Sequence, residues 1–242
     1  MKIAYVTLAT NKNFLIGAYN LYKTYLQVNS NIPFYCMILN EVNTAGFEDL
    51  PVIIVPNVNA NKKYPEHLGW LNKINIFLLT QFDIVFWIDA DSLMLNNIDD
   101  EIKIIALKLK QNNFNIIDLE GVDFKDKNKH ICGGFFGICP SYDLYIKSIG
   151  LAKVAHYDEE IFTELKKQNL LYIDDKLREL FKIPFYQIFH WDNYNDKKYW
   201  NTKIGQFLFN YYIENKEKAF ELIQELKNLN NEKNIKRMEK NG

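Results

Sequence analysis

VFWIDADSLML, residues 85–95, is where the chain passes from core strand into charge. Val85 to Ile88 are the β-branched and aromatic residues that suit a buried, pleated strand. Asp89 and Asp91 follow at once, and an ionised carboxylate is almost never buried without a partner. If strand geometry persists, acids at i and i+2 face the same way and repel. That repulsion is about 1 kcal/mol at 4 Å in water and about 4 kcal/mol at an effective dielectric of 20. A hard divalent cation offsets it, because carboxylate oxygens are the ligands Mg²⁺ and Mn²⁺ prefer. The plainer alternative has Asp89 capping the next turn and Asp91 facing water. An isolated Asp-x-Asp does not choose between them.

Upstream, KIAYVTLA (2–9) reads as a buried strand, and NFLIGAYNLYKTYLQV (13–28) as a helix with Asn11 or Asn13 as its cap. Leu15, Ala18, Tyr19, Tyr22, Tyr25 and Leu26 fall at helical spacing in it. PFYCMIL (33–39) and VIIV (52–55) read as short buried strands, and the spacing predicts a helix across LGWLNKINIFLLTQF (68–82). Strand and helix alternate through the first hundred residues. That pattern predicts an α/β fold, Rossmann-like, with a mainly parallel central sheet flanked by helices. In such sheets ligands bind outside the carboxyl ends of the strands, where Asp89 and Asp91 fall. Downstream, FNIIDL (114–119), HICGGFFGICP (130–140) and YQIFHW (186–191) read as strands, SYDLYIKSIG (141–150) and DEEIFTELKKQ (158–168) as helices. No repeat or linker divides the chain. Residues 1–200 are read as one domain, with 201–242 a helical extension packing on it, apolar at Ala219, Leu222, Ile223, Leu226 and Leu229.

The 242 residues are 48% hydrophobic and 15% aromatic, enough for one substantial core. Lys and Arg total 29 against 30 for Asp and Glu, so no charge excess points to nucleic acid or an anionic membrane. Cys36, Cys132 and Cys139 form no paired framework, which suits a reducing compartment. The first residues are too briefly apolar for a signal peptide, and no stretch approaches the ~18 apolar residues of a membrane span. A cytoplasmic protein is expected.

Three segments carry a resemblance: VTLATNKNFLIGA (6–18), LNKINIFLLTQFDIVFWIDADSLMLNNIDD (71–100) and FHWDNYNDKKYW (189–200). Together they resemble the retaining, glycogenin-like glycosyltransferases of family 8, whose fold is GT-A and whose donor is usually a UDP-sugar. The most specific feature is Lys73, sixteen residues upstream of Asp89, combined with the two aspartates and the trailing NIDD. The resemblance implies that Thr7, Leu8, Ala9, Thr10 and Asn11 contact nucleobase and ribose, and that Phe14 stacks on the base where the family usually has Tyr. It implies that Lys73 reaches the diphosphate and donor sugar, and that Asp89, Ala90 and Asp91 lie against the donor. Asp89, Asp91 and His190 would ligate Mn²⁺ or Mg²⁺, with Lys198 as the phosphate partner.

Each residue also has a plainer reading. Phe14 is equally a helix-core residue, Lys73 a solvated charge, and His190 a satisfied core histidine. The chain departs from the family in three places. The glycine and proline that follow the family histidine are missing. Cys132-Gly133-Gly134 stands where the family has Asn-small-Gly, so glycines remain to admit a sugar without the amide that would bond it. Asp158-Glu159 stands where it has Asp-Gln, and these acids also suit a helix N-terminus. Asp158, Lys73 and Glu159 are the catalytic candidates.

The expected activity is metal-dependent transfer of a hexose from a UDP-sugar to a saccharide, protein or lipid acceptor, with retention. Two rivals stand beside it. A non-catalytic nucleotide-sugar-binding homologue is compatible with Cys132 in place of Asn. A sugar nucleotidyltransferase would carry a Gly-rich basic loop after the first strand, whereas the first glycine here is Gly17. A homodimer through FLFNYY (207–212) and the helix after it is left open.

Overall fold

The computed structural model describes residues 1–58, 68–94, 96–112, 115–119, 134–171 and 188–189. Its centre is a six-stranded sheet in the order β3-β2-β1-β4-β7-β6. β1 (Ile3–Ala9), β2 (Phe34–Leu39), β3 (Val52–Val55) and β4 (Ile84–Ile88) are parallel to one another. β7 (Phe135–Ile138) runs antiparallel to β4 and to β6 (Ile116–Asp118). The predicted mainly parallel α/β architecture is therefore the one present, with a single reversed strand.

Period-two alternation splits the core into two layers. Ile84, Phe86 and Ile88 of β4 point with Tyr5 and Ala9 toward α1 (Lys12–Gln27) and α3 (Asp99–Gln111). Val85 and Trp87 point with Ala4, Val6 and Leu8 to the other face. There they meet a 3-10 helix (Asn72–Leu78), α4 (Tyr142–Ala152) and α5 (Asp158–Lys167). Helices thus cover both faces, as parallel strands require. Asn11 is the cap of α1, its Oδ1 accepting the Phe14 N–H at 3.1 Å. Of the α1 residues predicted to face the core, Leu26 is exposed, while Tyr22, Tyr25 and the following Val28 pack against that core.

Two expectations need correction. The helix predicted over 68–82 is a single α turn, α2 (Leu68–Leu71), continuing as the 3-10 helix. Asn72 and Asn75 there are buried and bond the chain before them: Asn72 Oδ1 accepts the Val58 N–H at 2.7 Å and Asn75 Nδ2 donates to the Pro56 carbonyl at 2.9 Å. These bonds tie the 3-10 turn to the segment that follows β3. The second concerns strand geometry at the aspartates. β4 stops at Ile88, and Asp89 to Asp91 form a turn closed by the Ser92 N–H on the Asp89 carbonyl at 3.0 Å.

Asp99, the first acid of NIDD, is structural. Tyr5 Oη at 3.2 Å, Ser30 Oγ at 2.6 Å and the Asn31 N–H at 2.6 Å donate to it, tying α3 to β1 and to the turn after α1. The extension at 201–242 lies outside the described residues. Among those described, no helix is long and apolar enough to cross a membrane.

Candidate functional site

β1 and β4 end side by side, and an open cleft of about 460 Å³ lies beyond their carboxyl ends. Leu8 and Thr10 line it from β1 and the turn after it, Phe14 from α1, and Asp89, Ala90 and Asp91 from the turn after β4. Gly69, Trp70 and Lys73 form the remaining wall with Trp87.

Close backbone approaches shape this cleft. A Cβ on Gly17 would stand 2.6 Å from the Ala90 carbonyl oxygen, so α1 lies directly against the aspartate turn only because residue 17 has no side chain. The Asp89 N–H is held at 2.9 Å by the Gly134 carbonyl, which continues the β4–β7 ladder by one bond.

Charge is concentrated at Lys73. Its Nζ lies 3.2 Å from Asp89 Oδ1 and 2.8 Å from Asp158 Oδ2, and 4.9 Å from the centroid of the Trp87 ring. Its side chain is only 8% exposed. Burial alone would push the ammonium pKa down, but the Asp158 and Asp89 carboxylates outweigh it and hold it above the usual lysine range. Burial pushes the Asp158 carboxyl up; Lys73 opposes this, Asp89 adds a like charge, and the net is upward. Lys73 is thus a charged hub between two carboxylates, not a solvated surface lysine.

Asp158 opens α5 but does not cap it. Glu160 Oε2 accepts the His156 N–H at 2.7 Å just ahead of the helix, while Asp158 pairs with Lys73. Glu159 is half-buried beside it and does not line the cleft.

The structure therefore brings Leu8, Thr10, Phe14, Lys73, Asp89, Ala90 and Asp91 together, with Asp158 behind Lys73. Thr7 and Ala9 are fully buried and do not line the cleft, since alternation along β1 sends them away from it. Asn11 is occupied as the α1 cap, and Gly134 contributes its carbonyl to the aspartate turn. Cys132, Gly133, His190 and Lys198 lie outside the described residues. β8 (Ile188–Phe189) pairs antiparallel with β5 (Leu93–Met94), so Phe189 lies opposite Leu93, two residues past Asp91.

Two participants escaped the sequence reading. Trp70 precedes Lys73 by three, one helical turn, and its ring stacks on Tyr157 at 5.6 Å. Trp87 precedes Asp89 by two, the spacing that places strand residues on one face, and its Nε1 donates to Asp89 Oδ1 at 2.6 Å. Both spacings were visible, but each tryptophan reads equally well as core.

Hard carboxylate oxygens on a cleft wall fit a divalent cation in donor chemistry. Among the described residues no group of three acids, histidines or cysteines could hold one, so Asp89 and Asp91 would form part of a larger ligand set.

Comparison with known proteins agrees with this architecture. No family model matches the chain. Glycogenin-1 of Caenorhabditis elegans is 30% identical over 112 residues, covering 41% of this chain. The chain spans about a quarter of that relative, 26% of its length. The glycosyltransferase GlyE of Streptococcus pneumoniae TIGR4 superposes with a TM-score of 0.51 at 12% identity, over 86% of this chain and 62% of that one. WbbM, a bifunctional glycosyltransferase, gives 0.50 at 11% identity, over 71% and 38%. The fold is a GT-A fold. Those structural identities speak to fold alone.

Proposed function

We propose that this chain is a glycosyltransferase that takes a hexose from a UDP-sugar in the presence of Mn²⁺ or Mg²⁺. One observation carries the reading: a flat aromatic face at Phe14 and a carboxylate–lysine cluster at Asp89, Asp91 and Lys73 line the same cleft, at the carboxyl ends of β1 and β4. A nucleobase needs the first, and a metal–diphosphate the second. The partial likeness to glycogenin-1 supports the same direction.

In this reading Phe14 stacks on the base while Leu8 and Thr10 wall its edge. Asp89 and Asp91, with His190, would hold the cation. When bound, that cation neutralises the diphosphate as it departs. Lys73 adds positive charge to the same oxygens, and its two carboxylates keep it protonated. Asp158 aligns Lys73 from behind. Transfer proceeds with retention: the acceptor attacks from the face the diphosphate leaves, and a departing phosphate oxygen can take its proton, so no separate base is needed. Glu159, off the cleft wall, is then dispensable. The acceptor is a saccharide, protein or lipid hydroxyl.

Donor hydrolysis and transfer across UDP- and GDP-sugars with Mn²⁺ test the reading. Asp89→Asn and Asp91→Asn should each abolish turnover; Asp91→Asn should keep the unfolding midpoint near that of the parent, whereas Asp89→Asn should lower it by removing one of the two carboxylates paired with Lys73. Full activity in chelator would exclude the cation, and preference for a GDP-sugar would exclude the donor. Proton NMR of the first product from an α-linked donor reads the stereochemistry, a β-linked product ruling out retention.

A further inference from the structure

We infer that Trp87 is a positioning residue of this site, its indole N–H setting the orientation in which Asp89 meets a divalent cation. The inference rests on the cation site proposed above. Trp87 lies at the penultimate position of β4, two residues before Asp89, which opens the turn that follows the strand. Its Nε1 donates to Asp89 Oδ1 at 2.6 Å, and Lys73 Nζ approaches the same oxygen at 3.2 Å. Two donors on one oxygen fix the carboxylate plane, and a hydrogen bond to an ionised acceptor is stronger than a neutral one.

The indole is itself immobilised. It is 2% exposed and stacks on its cross-strand partner Phe136, with centroids 6.1 Å apart and planes 17° from parallel. Phe136 in turn meets the Phe162 ring edge-on at 5.3 Å, and the Lys73 ammonium sits 4.9 Å from the indole centroid. A phenylalanine at 87 would fill much of this space and still face Lys73. The property it lacks is the donor N–H, and that N–H is spent on Asp89. Outer-shell partners of metal ligands commonly govern affinity by one or two orders of magnitude.

The test compares Trp87→Phe with Phe136→Leu, which removes the stacked ring and keeps the N–H. Mn²⁺ affinity is read by electron paramagnetic resonance, with and without UDP, beside the unfolding midpoint. Trp87→Phe should weaken Mn²⁺ about tenfold, both with and without UDP. Phe136→Leu should lower the midpoint and, because the N–H is retained, weaken Mn²⁺ less than Trp87→Phe does. In the unaltered protein, the Trp87 indole N–H should shift during a Mg²⁺ titration, with the midpoint of metal binding. That measurement decides the matter even if Trp87→Phe fails to fold. Unchanged Mn²⁺ affinity in a folded Trp87→Phe, or an indole N–H indifferent to Mg²⁺, overturns the positioning role while leaving the cation site standing. A parent protein that binds no Mn²⁺ overturns both.

Discussion

Replacing Lys73 with Met removes the cation from between Asp89 and Asp158 while keeping most of the side-chain volume. Breaking a buried ion pair by deleting one partner commonly costs about 3–5 kcal/mol, because the other charge is left uncompensated. Asp158 carries this penalty, its side chain being 8% exposed against 26% for Asp89, which also retains the Trp87 N–H. The penalty has a ceiling, since the carboxyl can escape by taking a proton. From its ordinary pKa of 3.8 to pH 7 is about three units, on the order of 4 kcal/mol. At pH 5 the same escape costs only about 1.6 kcal/mol.

Lys73→Met should therefore destabilise by about 3–4 kcal/mol at pH 7 and by about 1–2 kcal/mol at pH 5. The sign follows from the direction of the shift. Burial already raises the Asp158 pKa in the folded chain, and loss of Lys73 raises it further, with Asp89 still opposing ionisation. A group whose folded pKa is raised contributes fully below its unfolded value and loses that contribution as pH rises through the folded one. The gap between parent and variant must widen with pH. Urea unfolding at the two pH values measures it, and adding Asp158→Asn should recover more than half of the loss and flatten the pH dependence. A loss below about 1 kcal/mol at pH 7, or equal losses at pH 5 and 7, would refute the view of Lys73 as a hub.

Gly17→Ala gains about 1 kcal/mol of helix propensity but drives a Cβ to 2.6 Å from the Ala90 carbonyl oxygen, so overpacking of about 1–3 kcal/mol should win; calorimetry should show a lower midpoint, and weaker Mn²⁺ binding would follow from the displaced turn. Phe14→Ala should weaken UDP by about 1–3 kcal/mol in a calorimetric titration, the range for base–aromatic stacking, and UDP should bind more tightly than GDP or ADP. Burial raises the Cys36 thiol well above the usual range, so it should resist Ellman's reagent at pH 8 and react only as the chain unfolds; labelling at the rate of an unfolded peptide would contradict its place in the core.

Much of the sheet was legible in the sequence because its information is local. Apolar runs of the right length, separated by helical spacing, marked β1 to β4, α1, α4 and α5 within a residue or two, and parallel order followed from their alternation. The helix over 68–82 was misjudged because periodicity reports which residues are buried, not which turn they adopt; Asn72 and Asn75 look polar, yet bury their amides against the backbone of Pro56 and Val58. Asp99 illustrates the same limit. In the sequence it belongs with the aspartate motif, while in space its partners are Tyr5, Ser30 and Asn31, some seventy to ninety positions away.

The site divides along the same line. The sequence alone determined that two like charges stand at the end of a core strand, because that requires only the apolar run before Asp89 and the spacing after it. What offsets them was decided by tertiary structure. Burial on α5 turns Asp158 from a helix-terminal acid into the partner of Lys73, and the turn after β4 brings Asp89 onto the Trp87 N–H. An ion pair acquires strength only where water is excluded, and exclusion belongs to the packed layers, not to any single segment.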